Sequence, residues 1–312
     1  MPDALPIAAP AGTPPVSKGR VFLRRLLSFI VLWGVVLGAV FAGKNLFAEV
    51  LFLVLMLAIA GLGLQEFYNL VEKRGLPCFR RWGLFGGLLL MVSTFVYLQG
   101  WVIHYKHPAK ANDFETGILI LFVLGLCLRQ FFSKTTVGLS TISTTLLGLM
   151  YVPWLLNFIQ KLHFFPEAHG MEVDGNFYIF YFILVTKFSD VGAYATGTLI
   201  GRHKMIPRIS PGKTWEGFAG AIVVSTGASV LFAHLAGPRL FGMTLIHATV
   251  LGVLLSLAAV VGDLIESIFK REAGVKDSGV WFPGIGGILD LMDSLLFNAP
   301  IMYLYLRHVL TR

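Results

Sequence analysis

About nine stretches of mainly apolar residues, each long enough to cross a bilayer as a helix, divide this chain: 26–43, 46–66, 83–103, 117–132, 137–160, 177–200, 217–236, 243–265 and 286–309. A hydrocarbon core about 30 Å thick needs roughly 20 residues of helix at a rise of about 1.5 Å per residue. With no water there to pair with the backbone, a spanning segment has to satisfy its own N–H and C=O groups, which a helix does. The composition agrees: 56% of residues are hydrophobic and 13% charged, whereas about a quarter are charged in a soluble domain. The expected fold class is all-α, a polytopic integral membrane protein with about nine transmembrane helices.

Residues 1–20 are rich in Pro and Ala, lack apolar periodicity, and are expected to form a disordered tail; residues 21–312 form a single transmembrane domain. Lys18, Arg20, Arg24 and Arg25 precede the first apolar run and favour a cytoplasmic amino terminus. Val40-Phe41-Ala42 has the form of a signal-peptidase site, but the long tail and full-length apolar run favour an uncleaved anchor. Threaded from that start, the cytoplasmic loops carry Lys73, Arg74, Arg80 and Arg81, then Arg129 and Lys134, then Arg202, Lys204, Arg208 and Lys213, then Lys270, Arg271 and Lys276. The opposite loop near 161–176 sets Glu167, Glu172 and Asp174 against Lys161. Positive-inside bias and helix count agree, although Arg307 and Arg312 fall on the outer side.

The formal net charge of +8 follows from that bias and suits contact with anionic lipid; no nucleic-acid-binding motif accompanies it. Cys78 and Cys127 have neither disulfide nor metal-ligand spacing. Gly61-Leu-Gly63 lies inside an apolar helix and reads as helix packing. Gly and Ala faces of this kind permit a homodimer without requiring one.

Against this background, Val261–Phe297 holds six acids and three bases. An ionised side chain at the bilayer centre costs roughly 3 kcal/mol, so such a cluster implies a wet pocket, a bound ion or mutual pairing. Asp263, Glu266 and Lys270 share one helix face, and Asp290, Asp293 and Ser294 another. Carboxylates converging from two helices suit a hard cation such as magnesium, which keeps positions open for substrate phosphates. Asp263 and Asp290 are the expected metal ligands, with Asp293 supporting or sharing the ion. Lys270, Arg271 and Lys276 add positive charge between them, and Gly286 and Gly287, in Pro283-Gly-Ile-Gly-Gly287, let backbone approach a ligand. The bland alternative is a set of interhelical salt bridges beside a basic turn.

Two upstream segments fit the same site. Ser189-Asp190-Val-Gly-Ala-Tyr194 places a costly acid, Asp190, within an apolar helix. Ser210-Pro-Gly-Lys213-Thr214 reads as a tight turn before a helix amino terminus, where backbone N–H groups, a hydroxyl and an ammonium favour phosphate. The Gly-x-x-x-x-Gly spacing of a Walker loop is missing, and a plain basic juxtamembrane loop is the alternative reading.

At these residues the chain resembles the phosphatidate cytidylyltransferase family, the CDP-diacylglycerol synthases. The family signature runs Ser-x-x-Lys-Arg, Lys-Asp-x-Gly, Pro-Gly-His-Gly-Gly-x-x-Asp-Arg-x-Asp. Here it reads Ser267-Ile-Phe-Lys270-Arg271, Lys276-Asp277-Ser-Gly279, Pro283-Gly-Ile285-Gly-Gly287 and Asp290-Leu291-Met-Asp293. Asp190–Tyr194 and Ser210–Gly217 are similar to the family as well, so the likeness covers about 185–300 closely. Ile285 stands where the family has His and Leu291 where it has Arg.

The resemblance implies transfer of CMP from CTP to phosphatidate, giving CDP-diacylglycerol and pyrophosphate without a covalent enzyme intermediate. It further implies magnesium, with Asp263, Asp277, Asp290, Asp293, Lys270, Arg271 and Lys276 at the catalytic centre and Ser210, Lys213, Asp190, Gly286 and Gly287 on substrate. Asp277 would orient the bases or assist a second, monovalent cation such as K+. Trp215 and Trp281 are interfacial anchors or cytosine-stacking rings. The site should lie in a bacterial inner membrane, open to cytoplasmic CTP and sideways to lipid. The two departures keep open another lipid acceptor, such as an ether-linked phosphatidate or a polyprenol, or a diverged inactive homologue. From another class, an ion-coupled transporter would show internal repeats and midplane acids; these charges gather near one face.

Overall fold

A computed structural model of the chain describes residues 31, 33–43, 45–101, 108–134, 137–166, 173–279, 281 and 286–311. Within them run the helices α1 (Leu46–Lys73), α2 (Arg80–Leu98), α3 (Pro108–Phe131), α4 (Gly138–His163), α5 (Gly175–Ile200), α6 (Trp215–Ala236), α7 (Leu245–Glu272) and α8 (Ile288–Tyr305). Residues 33–40 are helical too and belong to the expected first span, most of whose first half lies outside the described residues, as does the expected tail at 1–20.

The protein is an all-α integral membrane protein. Among the described residues six helices, α1 to α4, α6 and α7, are long and apolar enough to span, which does not confirm the expected count of about nine. Both α5 and α8 fall where spans were expected, but Lys187 and Asp190 dilute the first, and Asp290, Asp293 and Asn298 the second. Asp293 and Asn298 are buried inside the bundle, Lys187 and Asp290 are partly buried, and Asp190 is exposed beside Lys187.

Side chains close several helix starts. Asn45 accepts from the Ala48 N–H at 2.8 Å, Thr214 from Gly217 at 3.1 Å and Thr244 from His247 at 3.3 Å, each satisfying a donor without an intrahelical partner. In α4 the turn Met150–Trp154 widens to π geometry around Pro153, which lacks an N–H and crowds the preceding turn. Helix α8 is central, packing on α1, α4, α5 and α7, and its Leu289, Ala299 and Met302 are fully buried. Polar side chains also join the helices: Ser225 Oγ donates to the Gly252 carbonyl at 2.9 Å, and Asn298 Nδ2 to Thr186 Oγ1 at 2.6 Å. Lipid tails are as apolar as leucine, so close packing and such bonds hold the bundle.

The closest approach decisive for the site is at Gly262 on α7, where a Cβ would strike the Asp293 carbonyl and Phe297 ring of α8. Without a side chain there, the two acid-bearing helices touch.

Candidate active site

Helix α5 ends, and α6 begins, on either side of a short antiparallel hairpin, β1 (Lys204–Ile206) and β2 (Ser210–Thr214), with Lys204 opposite Thr214 and Ile206 opposite Ser210. Glu216, in the first turn of α6, accepts from the Arg202 and His203 N–H groups at 3.1 and 3.2 Å and so pins the hairpin to that helix. This corrects the sequence reading of Ser210–Thr214 as a tight turn: it is a strand, and the turn lies at 207–209. Pairing with β1, which no local residue pattern announces, holds it extended. The Lys213 side chain instead reaches α7, with Nζ 2.8 Å from Asp263 Oδ2 and 3.3 Å from the Val260 carbonyl.

Between this hairpin and helices α5 to α8 opens a cleft of about 690 Å³, and Asp190, Ser210, Lys213, Asp263, Lys270, Asp277, Asp290 and Asp293 all line it. Residues far apart in sequence thus face one space. Four expected residues do not line it. Arg271 donates through Nε to the Ile209 carbonyl at 3.1 Å, tying the end of α7 to the hairpin turn. Lys276 is exposed. Gly286, at φ 118°, and Gly287 form the turn into α8, where a Cβ on Gly286 would meet the Asp290 carboxylate; that left-handed backbone suits glycine.

The acids fall into two groups. Asp263, Glu266 and Asp293 bring ligand atoms within 4.8 Å of one another. Glu266 is fully buried; its Oε2 accepts from Lys270 at 2.5 Å, while Oε1 has no hydrogen-bond partner. A buried, unpartnered carboxylate oxygen beside two further carboxylates fits a hard divalent cation. Asp290 is engaged elsewhere: Oδ1 lies 2.6 Å from Lys270 Nζ, and Oδ2 accepts from Ser278 N at 2.9 Å, Ser278 Oγ at 2.8 Å and Gly287 N at 2.8 Å. The expected pair of Asp263 with Asp290 is therefore not the group gathered here. As third residue of α8, Asp290 turns back onto its helix start, and Asp293, one turn on, faces α7 across Gly262.

Sequence reasoning passed over Glu66 of α1. Only 2% exposed, it accepts from Ser278 Oγ at 3.0 Å, Ile288 N at 3.1 Å and Leu289 N at 2.8 Å. A carboxylate at these N–H groups balances the positive end of the α8 dipole. Its signal was available, since an acid in an apolar helix is as costly at 66 as at 190. Lys187, 3.3 Å from Asp190, was also missed and lines the cleft.

Residues 23–309 match the sequence profile of the Cytidylyltransferase family. The chain belongs to this family. Among its relatives it is 31% identical over 278 residues to a phosphatidate cytidylyltransferase of Bacillus subtilis, covering 88% of this chain and 96% of that one. It is 31% identical over 294 residues to one of Haemophilus influenzae, covering 90% and 98%, and 34% identical over 197 residues to one of Mycobacterium tuberculosis, covering 61% and 57%. Of the two departures from the cytidylyltransferase signature, Ile285 lies outside the described residues. Leu291 lines a small apolar cavity of about 70 Å³ with Met56, Ile59 and Leu295, apart from the acid cleft. An aliphatic side chain suits that cavity, where a guanidinium would be left without a polar partner.

Proposed function

We propose that the protein is a phosphatidate cytidylyltransferase. A phosphate oxygen of phosphatidate forms a bond to the α-phosphorus of CTP, the bond from that phosphorus to the oxygen bridging to the β-phosphate breaks, and pyrophosphate leaves with the electron pair. The products are CDP-diacylglycerol and pyrophosphate. One observation carries the reading most: a single cleft at the end of a membrane bundle gathers Asp263 and Asp293 with Lys213 and Lys270. Two anionic reactants need positive charge held in place before they meet, and such preorganised charge is the main lever on phosphoryl transfer.

Asp263, Glu266 and Asp293 would hold magnesium, which when bound neutralises phosphate charge and favours in-line displacement. Lys213 and Ser210, on β2, hold the nucleotide phosphates; Lys213 exchanges Asp263 for phosphate as CTP enters. Lys270 pairs with Asp290 and holds it in place, and it adds its own positive charge to the cleft. Asp190 is balanced by Lys187. Asp277, exposed at the cleft wall, is the residue placed to assist a second, monovalent cation. The cleft opens to the cytoplasm, the source of CTP, and sideways to the lipid that carries phosphatidate.

The test is purified protein in detergent with dioleoyl phosphatidate, radiolabelled CTP and magnesium. We expect a lipid-soluble cytidine product, reduced about a hundredfold in Asp293→Asn. No product from protein that still binds CTP would transfer the assignment to another lipid acceptor, which a panel including ether-linked phosphatidate and polyprenol identifies. Full activity in Asp293→Asn would overturn the metal assignment.

A further inference from the structure

A second cavity, this one basic, lies at the same end of the bundle as the cleft and is lined by elements that do not line the cleft. It measures about 540 Å³ and is lined by Glu72 at the end of α1, Phe79, Arg80, Arg81 and Trp82 at the start of α2, and Arg129 at the end of α3. Three guanidiniums face one carboxylate there. Arg80 lies 3.3 Å from Glu72, whereas Arg81 and Arg129 have no carboxylate partner among the described residues. The Arg129 guanidinium sits 5.3 Å from the centre of the Phe79 ring, a contact that orients it without neutralising it.

The placement of these charges is one that an added anion would stabilise. Helix α2 opens on Arg80 and Arg81 with no acid in its first turn, although the helix dipole puts partial positive charge at that end and favours the opposite sign. A phosphate would supply that negative charge, accepting hydrogen bonds from the guanidiniums.

The surroundings decide which phosphate. Directly along the helices from the arginines, Phe85 and Leu89 of α2 and Leu124 and Leu128 of α3 are large apolar side chains exposed on the outside of the bundle. Both helices are apolar enough to span a membrane, so this face is covered by acyl chains. We propose that Arg80, Arg81 and Arg129 form a binding site for the headgroup phosphate of an anionic phospholipid, separate from the catalytic cleft. Its acyl chains lie on the α2–α3 face below. Glu72, which holds Arg80 at the edge of this site, stands on the same helix as Glu66, which holds the start of α8.

The proposal is tested by native mass spectrometry of the full chain released from detergent after titration with dioleoyl phosphatidylglycerol, an anionic lipid, and with zwitterionic dioleoyl phosphatidylcholine. One phosphatidylglycerol molecule is expected to be retained in preference to phosphatidylcholine. Replacing two arginines, Arg81→Gln with Arg129→Gln, should weaken it about thirtyfold, at roughly one interfacial charge's attraction per arginine. The charge-keeping pair Arg81→Lys with Arg129→Lys should retain most of the binding, which separates loss of the site from misfolding. Lys213→Gln, in the cleft, should leave the adduct unchanged. Equal binding of phosphatidylcholine, full binding by the glutamine pair, or loss of the adduct in Lys213→Gln would each overturn the proposal. Displacement of the lipid by millimolar inorganic phosphate would do so too, assigning the arginines to a free anion.

Discussion

Glu66 shows how one side chain can organise a site that it does not line. Its carboxylate takes the Ile288 and Leu289 N–H groups; the single O–H of Ser278 lies between Glu66 and Asp290, and the Ser278 amide donates to Asp290. Moving Glu66 would release the first turn of α8 and with it Asp290 and Asp293. Glu66→Gln keeps the shape but removes the charge and turns an NH2 group toward donors. Leaving such buried donors poorly paired costs about 1–3 kcal/mol. We expect a lower thermal midpoint in detergent and a reduced kcat, with KM for phosphatidate unchanged; a variant matching the parent in both stability and kcat would show that something else positions α8. The acids of the signature were legible one by one, because each is expensive where it stands. Which carboxylates meet was not legible: Asp290 and Asp293 are one turn apart, and only the contact at Gly262 selects the second.

At the scale of the element, the long helices were readable because their hydrophobic runs have no other stable form in lipid. Their ends were less so. Helix α1 continues past the apolar run to Lys73, and α7 to Glu272, since a helix needs no apolar side chains once its backbone ladder has started. The hairpin before α6 was missed because Ser210-Pro-Gly-Lys-Thr looks like a turn until its partner strand is known. The contact of α7 with α8 makes its own prediction. Gly262→Leu would force side chain atoms against the Asp293 carbonyl, an overpacking worth about 1–3 kcal/mol, and part Asp263 and Glu266 from Asp293. The magnesium concentration for half-maximal activity should rise about tenfold, with a smaller rise for Gly262→Ala. An unchanged magnesium requirement in Gly262→Leu would mean that the metal does not bridge α7 and α8.

Across the whole molecule, polar side chains concentrate at two ends with different work to do. The cleft occupies the end where α1 finishes and α8 begins. At the other end, where α2 finishes and α3 begins, Lys161 of α4 lies 2.5 Å from Glu115 of α3, both almost fully buried. Asn157 donates to Glu115 at 2.6 Å and to Thr94 of α2 at 2.8 Å, and Lys161 sits 4.1 Å from the Phe158 ring centre and 5.6 Å from that of Tyr303 on α8. This network joins α2, α3, α4 and α8 without a residue of the cleft, so its role is to hold the bundle. Removing one partner strands a buried charge, at about 3–5 kcal/mol, whereas removing both with apolar side chains of similar size leaves little penalty. Glu115→Leu should therefore lower the thermal midpoint sharply, and adding Lys161→Met should recover most of the loss. Cytidylyltransferase turnover in the double variant should stay near the parent's, because the cleft is at the far end. Scanning fluorimetry in detergent and the CTP assay measure both quantities on the same samples. Stability restored with activity lost would place this network in the catalytic cycle; a stable single variant would show that the ion pair does not hold the helices together.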